Sequence, residues 1–119
     1  MEQHALPERP VMTAGKCPLC HIGELGPYLP VNLDVPTIGP RISVYDHAGA
    51  LLARVQATSP RGIAPGQFIS PHGLAVDSRG DLYVGEVAYT SWQRSFPGVP
   101  QPDHIRCLQK LVRIETCPQ

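Results

Sequence analysis

The sequence predicts an all-β fold of short antiparallel strands joined by long Pro/Gly-rich loops. Three observations predict it. Fourteen prolines and eleven glycines fill about a fifth of the 119 residues, against about 12% in average usage. Each internal proline removes a backbone donor and clashes with the preceding turn, so long helices have no room. Apolar and polar residues alternate with a period of two in several short stretches, as half-buried strands require. Two of these stretches are followed by an Asp-x-x-Gly turn, in which Asp accepts backbone hydrogen bonds and Gly takes positive φ.

The elements follow in order. Residues 1–16 show no periodicity and read as an irregular tail. Cys20 to Leu25 is a short apolar strand, and residues 26–40 are a loop with four prolines. Arg41 to Asp46 alternates, with Ile42 and Val44 on one side of the chain. Asp46-His47-Ala48-Gly49 turns it into a further strand over Ala50 to Gln56. After a loop over 57–70, Gly73 to Asp77 and Asp81 to Glu86 form a second hairpin around Asp77-Ser78-Arg79-Gly80. Residues 88–104 read as a long insertion, and Ile105 to Ile114 as the last strand.

Composition narrows the function classes. A hydrophobic share of 42% is that of a folded chain. Ten basic residues balance ten acidic ones, which supplies no general field for nucleic acid or an anionic membrane. Arg106, Lys110 and Arg113 are scattered, not gathered into a basic patch. No apolar run approaches the roughly 18 residues of a membrane span. The N-terminus lacks a basic start followed by an apolar stretch, so a cytoplasmic chain with reduced thiols is expected.

The chain also repeats itself. Ile22-Gly23-Glu24-Leu25 matches Val84-Gly85-Glu86-Val87, 62 residues on. A proline-rich excursion follows each match, then a strand beginning Arg41-Ile42 or His104-Ile105-Arg106. Pro65-Gly66-Gln67-Phe68, Pro71-His72-Gly73-Leu74-Ala75-Val76-Asp77 and Gly80-Asp81-Leu82-Tyr83-Val84, with the later Leu108-Gln109-Lys110-Leu111, resemble an NHL repeat. The likeness spans roughly residues 20–114 and is specific at 65–86. Where the family usually has Asp soon after Tyr-Val, Glu86 stands here, and the linker to the next strand is much longer.

NHL repeats build β-propellers of four-stranded antiparallel blades, commonly about six, each with its first strand lining a central channel. The resemblance therefore implies an incomplete propeller over 20–114, about one and a half blades, between tails at 1–19 and 115–119. Residues 72–77 would be an innermost strand, 81–86 the second and 105–113 the third. The earlier copy would supply 20–25, 41–46 and 50–56, without a clear innermost strand. Such a chain cannot close a ring alone. It would be a piece of a longer protein, an assembly of copies, or a small sheet with open edges prone to self-association.

Several residues carry candidate chemistry. Cys17-Pro18-Leu19-Cys20-His21 has the spacing of covalent haem attachment and half the pattern of a zinc site. Its second half is missing, because Cys107 and Cys117 are too widely spaced, and free thiols are the plain alternative. His72 opens an innermost strand. In the peptidyl-α-hydroxyglycine α-amidating lyases, which resemble NHL propellers, histidines at this position from several blades jointly hold zinc. The resemblance thus offers His72 as one metal ligand; the alternative is a histidine hydrogen-bonded beside Pro71. Glu24 and Glu86 occupy equivalent strand ends, where they could line a channel rim or tie neighbouring segments together. Tyr89 and Trp92, with Tyr28, could form a recognition rim or cover the core.

The expectation is an NHL-type propeller fragment acting as a binding or structural module for protein or peptide, without a complete active site or cofactor. The alternative is part of a zinc-dependent lyase or hydrolase built on His72.

Overall fold

The computed structural model describes residues 11–12, 18–26, 39–56 and 61–114. These are mostly β, forming two antiparallel sheets and one short helix. The first sheet holds β1 (Val11–Met12), β2 (Cys20–Glu24), β3 (Arg41–Tyr45) and β4 (Leu51–Val55), in that spatial order. The second holds β5 (Pro71–Val76), β6 (Leu82–Glu86) and β7 (Leu108–Leu111). Both sheets are meanders, each strand pairing with its neighbour in sequence.

Register makes the two sheets comparable position by position. Glu24 stands opposite Arg41 and Gly23 opposite Ile42, while Gly85 stands opposite Leu108. Because successive side chains alternate between faces, His21, Gly23, Ile42 and Val44 share one face of the first sheet. Leu74, Val76, Leu82, Val84 and Leu111 share one face of the second. These two faces meet. Ile42, Phe68, Leu82 and Val84 form one buried cluster, with Val55, Leu74, Val76 and Leu111 packed against it. Burying each large member stabilises the fold by roughly 1.5–3 kcal/mol. β5 lies against β1 and β2. Gly23 is pressed so closely on it that a Cβ there would stand 2.8 Å from the Pro71 carbonyl oxygen.

The meeting faces are not equivalent. Gly23 and Ile42 correspond to Gly85 and Leu108, which lie on the opposite face of the second sheet from Val84 and Leu82. The front of one repeat therefore sits on the back of the next.

Both Asp-x-x-Gly turns form with the same bonding. The Asp46 carboxylate accepts from the amides of Ala48 and Ala50 at 2.9 Å, with Gly49 at φ 87°. The Asp77 carboxylate accepts from Arg79 at 2.9 Å and Asp81 at 3.0 Å, with Gly80 at φ 85°. Both tight turns lie at one end of the sheets. The long excursions after Glu24 and Glu86 leave from the other end.

Three features differ from the sequence reading. Val11–Met12, inside the stretch read as tail, pair with β2 and give the first sheet a first strand. The insertion over 88–104 contains a helix, α1 (Ala88–Ser95). It buries Ala88, Ser91, Trp92 and Ser95, the spacing of one helical face. The helix ends where Phe96 bonds back to Trp92 and Pro97 stands next. The last strand is shorter than predicted, because Ile105 leaves the ladder to join Ile69, Ala88 and Trp92 in a second buried cluster.

Candidate functional site

The end of the second sheet from which the long excursion leaves gathers four of the residues singled out in the sequence, His72, Glu86, Tyr89 and Trp92. His72 opens β5, Glu86 closes β6, and α1 begins immediately beyond. The backbone joins these elements tightly. Val87 donates its amide to Ser70, and Glu86 donates its own to Cys107 at 2.8 Å.

Glu86 is half-buried. One oxygen of its carboxylate accepts from the amides of Ile69 at 2.6 Å and Ser70 at 3.0 Å. Burial pushes its carboxyl above the usual range for Glu, while those two amides and the nearby Arg106 hold it back. Its observed work is to fix the chain entering β5. His72 is exposed on that strand. Among the described residues, no three side chains of His, Cys, Asp or Glu come together in a group able to hold a metal ion.

Tyr89 is 43% exposed, and its hydroxyl accepts from the amide of Ile105 at 2.9 Å. Its ring is the one aromatic of the predicted rim that the described surface presents. Trp92 takes the alternative place. It is only 5% exposed, stacks on Phe96 at 4.4 Å between centroids, and donates its indole N–H to the Val99 carbonyl. Arg61 braces the far end of this unit by donating to the Ser95 carbonyl at 3.0 Å, where a cation suits the helix C-terminus. Tyr28 lies outside the described residues.

Glu24, the counterpart of Glu86, is 1% exposed and does not form a rim. Arg41 grips both its oxygens, Nε at 2.7 Å and the terminal nitrogen at 3.2 Å, and the Ser43 hydroxyl donates to the same carboxylate. Both Arg41 and Ser43 are themselves buried. This pair ties β2 to β3, the structural role weighed for it.

The cysteine motif splits. Cys17 and Cys117 lie outside the described residues. Cys20 and His21 are consecutive in β2, so their side chains point to opposite faces of the sheet. His21 is buried on the face that meets the second sheet. A single ion cannot be held by both while this strand is formed. Cys107 is a free thiol donating to the Ile105 carbonyl at 3.4 Å.

Nothing in the sequence singles out Gln109. Its amide accepts from Gly66 at 3.1 Å and donates to Gln67 at 2.7 Å, tying β7 to the loop that carries Phe68. Among the described residues no helix is long and apolar enough to cross a membrane. No family model matches the chain, and no curated protein or solved structure matches it.

Proposed function

We propose that the chain is a segment of an NHL-type β-propeller and serves as a binding and structural module. Its contact surface is the end of the sheets from which the long excursions leave. One observation carries the reading: two repeats pack front on back, with β5 lying against β1 and β2. That is the relation of neighbouring blades whose first strands run side by side toward a common axis. The sheets and α1 supply a rigid frame, and rigid frames commonly carry recognition on the loops they position. Here the excursion after β6 presents Val87, Tyr89 and Val99, each between 39% and 46% exposed. An apolar, aromatic surface of this kind suits an extended peptide or a protein loop.

The test combines selection of displayed random peptides with metal analysis of the purified chain. Peptides should be selected, and Val99→Asp should weaken their binding at least tenfold without changing the circular dichroism. A chain that selects no peptide would overturn the reading. So would stoichiometric zinc that His72→Ala abolishes, which would favour the lyase or hydrolase alternative.

A further inference from the structure

We infer that the contact surface proposed above includes a subsite for a primary carboxamide, the side-chain group of Asn or Gln, held between Glu86 and Arg106. The inference rests on that reading for the surface and the peptide, and names what the surface selects beside its apolar patch. Glu86 closes β6, and Arg106 comes to it with the returning chain, whose next residue, Cys107, accepts the Glu86 amide. Both side chains reach the same loop. Glu86 accepts from the amides of Ile69 and Ser70, and Arg106 donates a terminal nitrogen to the Ala64 carbonyl at 3.0 Å. Tyr89 stands beside them, because its hydroxyl holds the amide of Ile105, the residue before Arg106.

Each of the two side chains is only partly used. Both amides fall on one oxygen of the Glu86 carboxylate, Oε1, and Oε2 has no partner among the described residues. The Arg106 Nε is buried without a partner, and Nη1 makes no bond to the described residues either. Polar groups drawn out of water normally find partners. These two do not satisfy each other: Arg106 is near enough to lower the Glu86 pKa, yet the two form no ion pair. Together they offer a strong acceptor and a strong donor in a half-buried place. A carboxylate ligand would suit Arg106 but repel Glu86, and a cation would suit Glu86 but repel Arg106. A trans peptide group points its N–H and C=O in opposite directions. A primary carboxamide presents an N–H and a C=O along one edge and carries no charge, so it serves both residues at once.

The test reads which polar side chain the surface prefers. Displayed random peptides selected on the wild-type chain should share an Asn or Gln beside an apolar residue, and changing it to Asp or Lys should weaken binding about tenfold or more. Two variants, checked for folding by circular dichroism, should turn that preference in opposite directions. Glu86→Gln keeps an oxygen for Ile69 and Ser70 but offers N–H where Oε2 stood, so Asp or Glu should be selected instead. Arg106→Met leaves the carboxylate alone, so Lys or Arg should be selected. Separately, propionamide titrated into the wild-type chain should shift the amide NMR signals of Ile69 and Ser70, and propionate at equal concentration should not. Selected peptides without an Asn or Gln preference overturn the inference, as do a Glu86→Gln chain that keeps the wild-type preference and propionamide that acts no differently from propionate. If no peptide is selected while propionamide alone shifts those amides, the peptide-binding reading falls and the carboxamide subsite stands without it.

Discussion

Gly23 and Gly85 are the same position in two repeats, and the structure requires them to respond oppositely to the same substitution. Neither has a positive φ, so alanine fits the backbone at both. At residue 23 the new Cβ would stand 2.8 Å from the Pro71 carbonyl oxygen, a backbone atom that moves only with β5. Overpacking of this kind costs about 1–3 kcal/mol. Replacing glycine within a strand returns roughly 0.5–1 kcal/mol of backbone entropy. Gly23→Ala should therefore destabilise by up to about 2.5 kcal/mol. At residue 85 the nearest atom is 3.8 Å away, in ordinary contact. Only the entropic term remains, so Gly85→Ala should stabilise by roughly 0.5–1 kcal/mol. The entropic term cancels between the two, leaving about 1–3 kcal/mol of separation that reports the sheet contact itself. Urea titration at low micromolar protein would measure it, following the fluorescence of Trp92, the chain's one tryptophan. Two variants within about 0.3 kcal/mol of each other, or in reversed order, would refute front-to-back packing of the sheets.

Other substitutions probe the remaining contacts. Glu24→Gln leaves Arg41 buried without its counter-charge and should cost about 3–5 kcal/mol, whereas Glu24→Leu combined with Arg41→Met should cost less than either single change in chemical denaturation. Trp92→Ala should destabilise by about 3–5 kcal/mol, since it empties the cluster that holds α1. A variant that keeps its melting temperature would show the helix to be independent of that packing. Glu86 has a raised pKa in the fold, so its contribution is fully present below the usual Glu range and is lost as pH rises through the folded value. Glu86→Gln keeps an oxygen for the amides of Ile69 and Ser70 and does not titrate. Denaturation at pH 4 and pH 7 should accordingly favour the variant relative to wild type at the higher pH, and the opposite trend would contradict the burial of this carboxyl.

The hairpins were legible because their information is local. Alternation fixes which residues of 41–45 and 82–86 share a face, and Asp46 and Asp77 specify their turns through their own side chains. The helix was not legible. Tyr89, Thr90, Ser91 and Trp92 are mediocre helix formers, and eight residues are too few for a helix to stand without tertiary support. Ile69 and Ile105, distant in sequence, supply that support. The same capture of Ile105 displaced the last ladder toward Leu108, past the Arg41-Ile42 likeness seen at His104-Ile105-Arg106. Val11–Met12 are not legible because two residues carry no period, and only their pairing with β2 makes them a strand. Among the candidate residues, the sequence brought His72, Glu86 and Tyr89 to one end of a sheet. It could not separate exposed Tyr89 from buried Trp92, since only the helical face distinguishes them.

Glu24 and Glu86 show how one repeat position takes on different work when its surroundings change. Each closes the second strand of its sheet, and each carboxylate is drawn out of water. A buried carboxylate must be compensated, because its uncompensated charge is costly in a low-dielectric interior. In the first sheet the residue opposite is Arg41, whose guanidinium fork matches the carboxylate geometry, and a buried ion pair results. In the second sheet the chain returns from α1 so that Cys107 meets Glu86 through its carbonyl, and that position offers no cation. Glu86 turns instead to two consecutive amides at the entrance to β5, which satisfy the oxygen without neutralising its charge. Burial raises the Glu86 pKa, and the two amides and the nearby Arg106 offset that rise only in part. Introducing a cation opposite it, as in Cys107→Arg, should therefore lower the Glu86 pKa, measurable by carboxyl carbon NMR titration. An unchanged titration in a folded Cys107→Arg variant would mean that the two strand ends are not equivalent, and the repeat correspondence on which the face assignments depend would have to be redrawn.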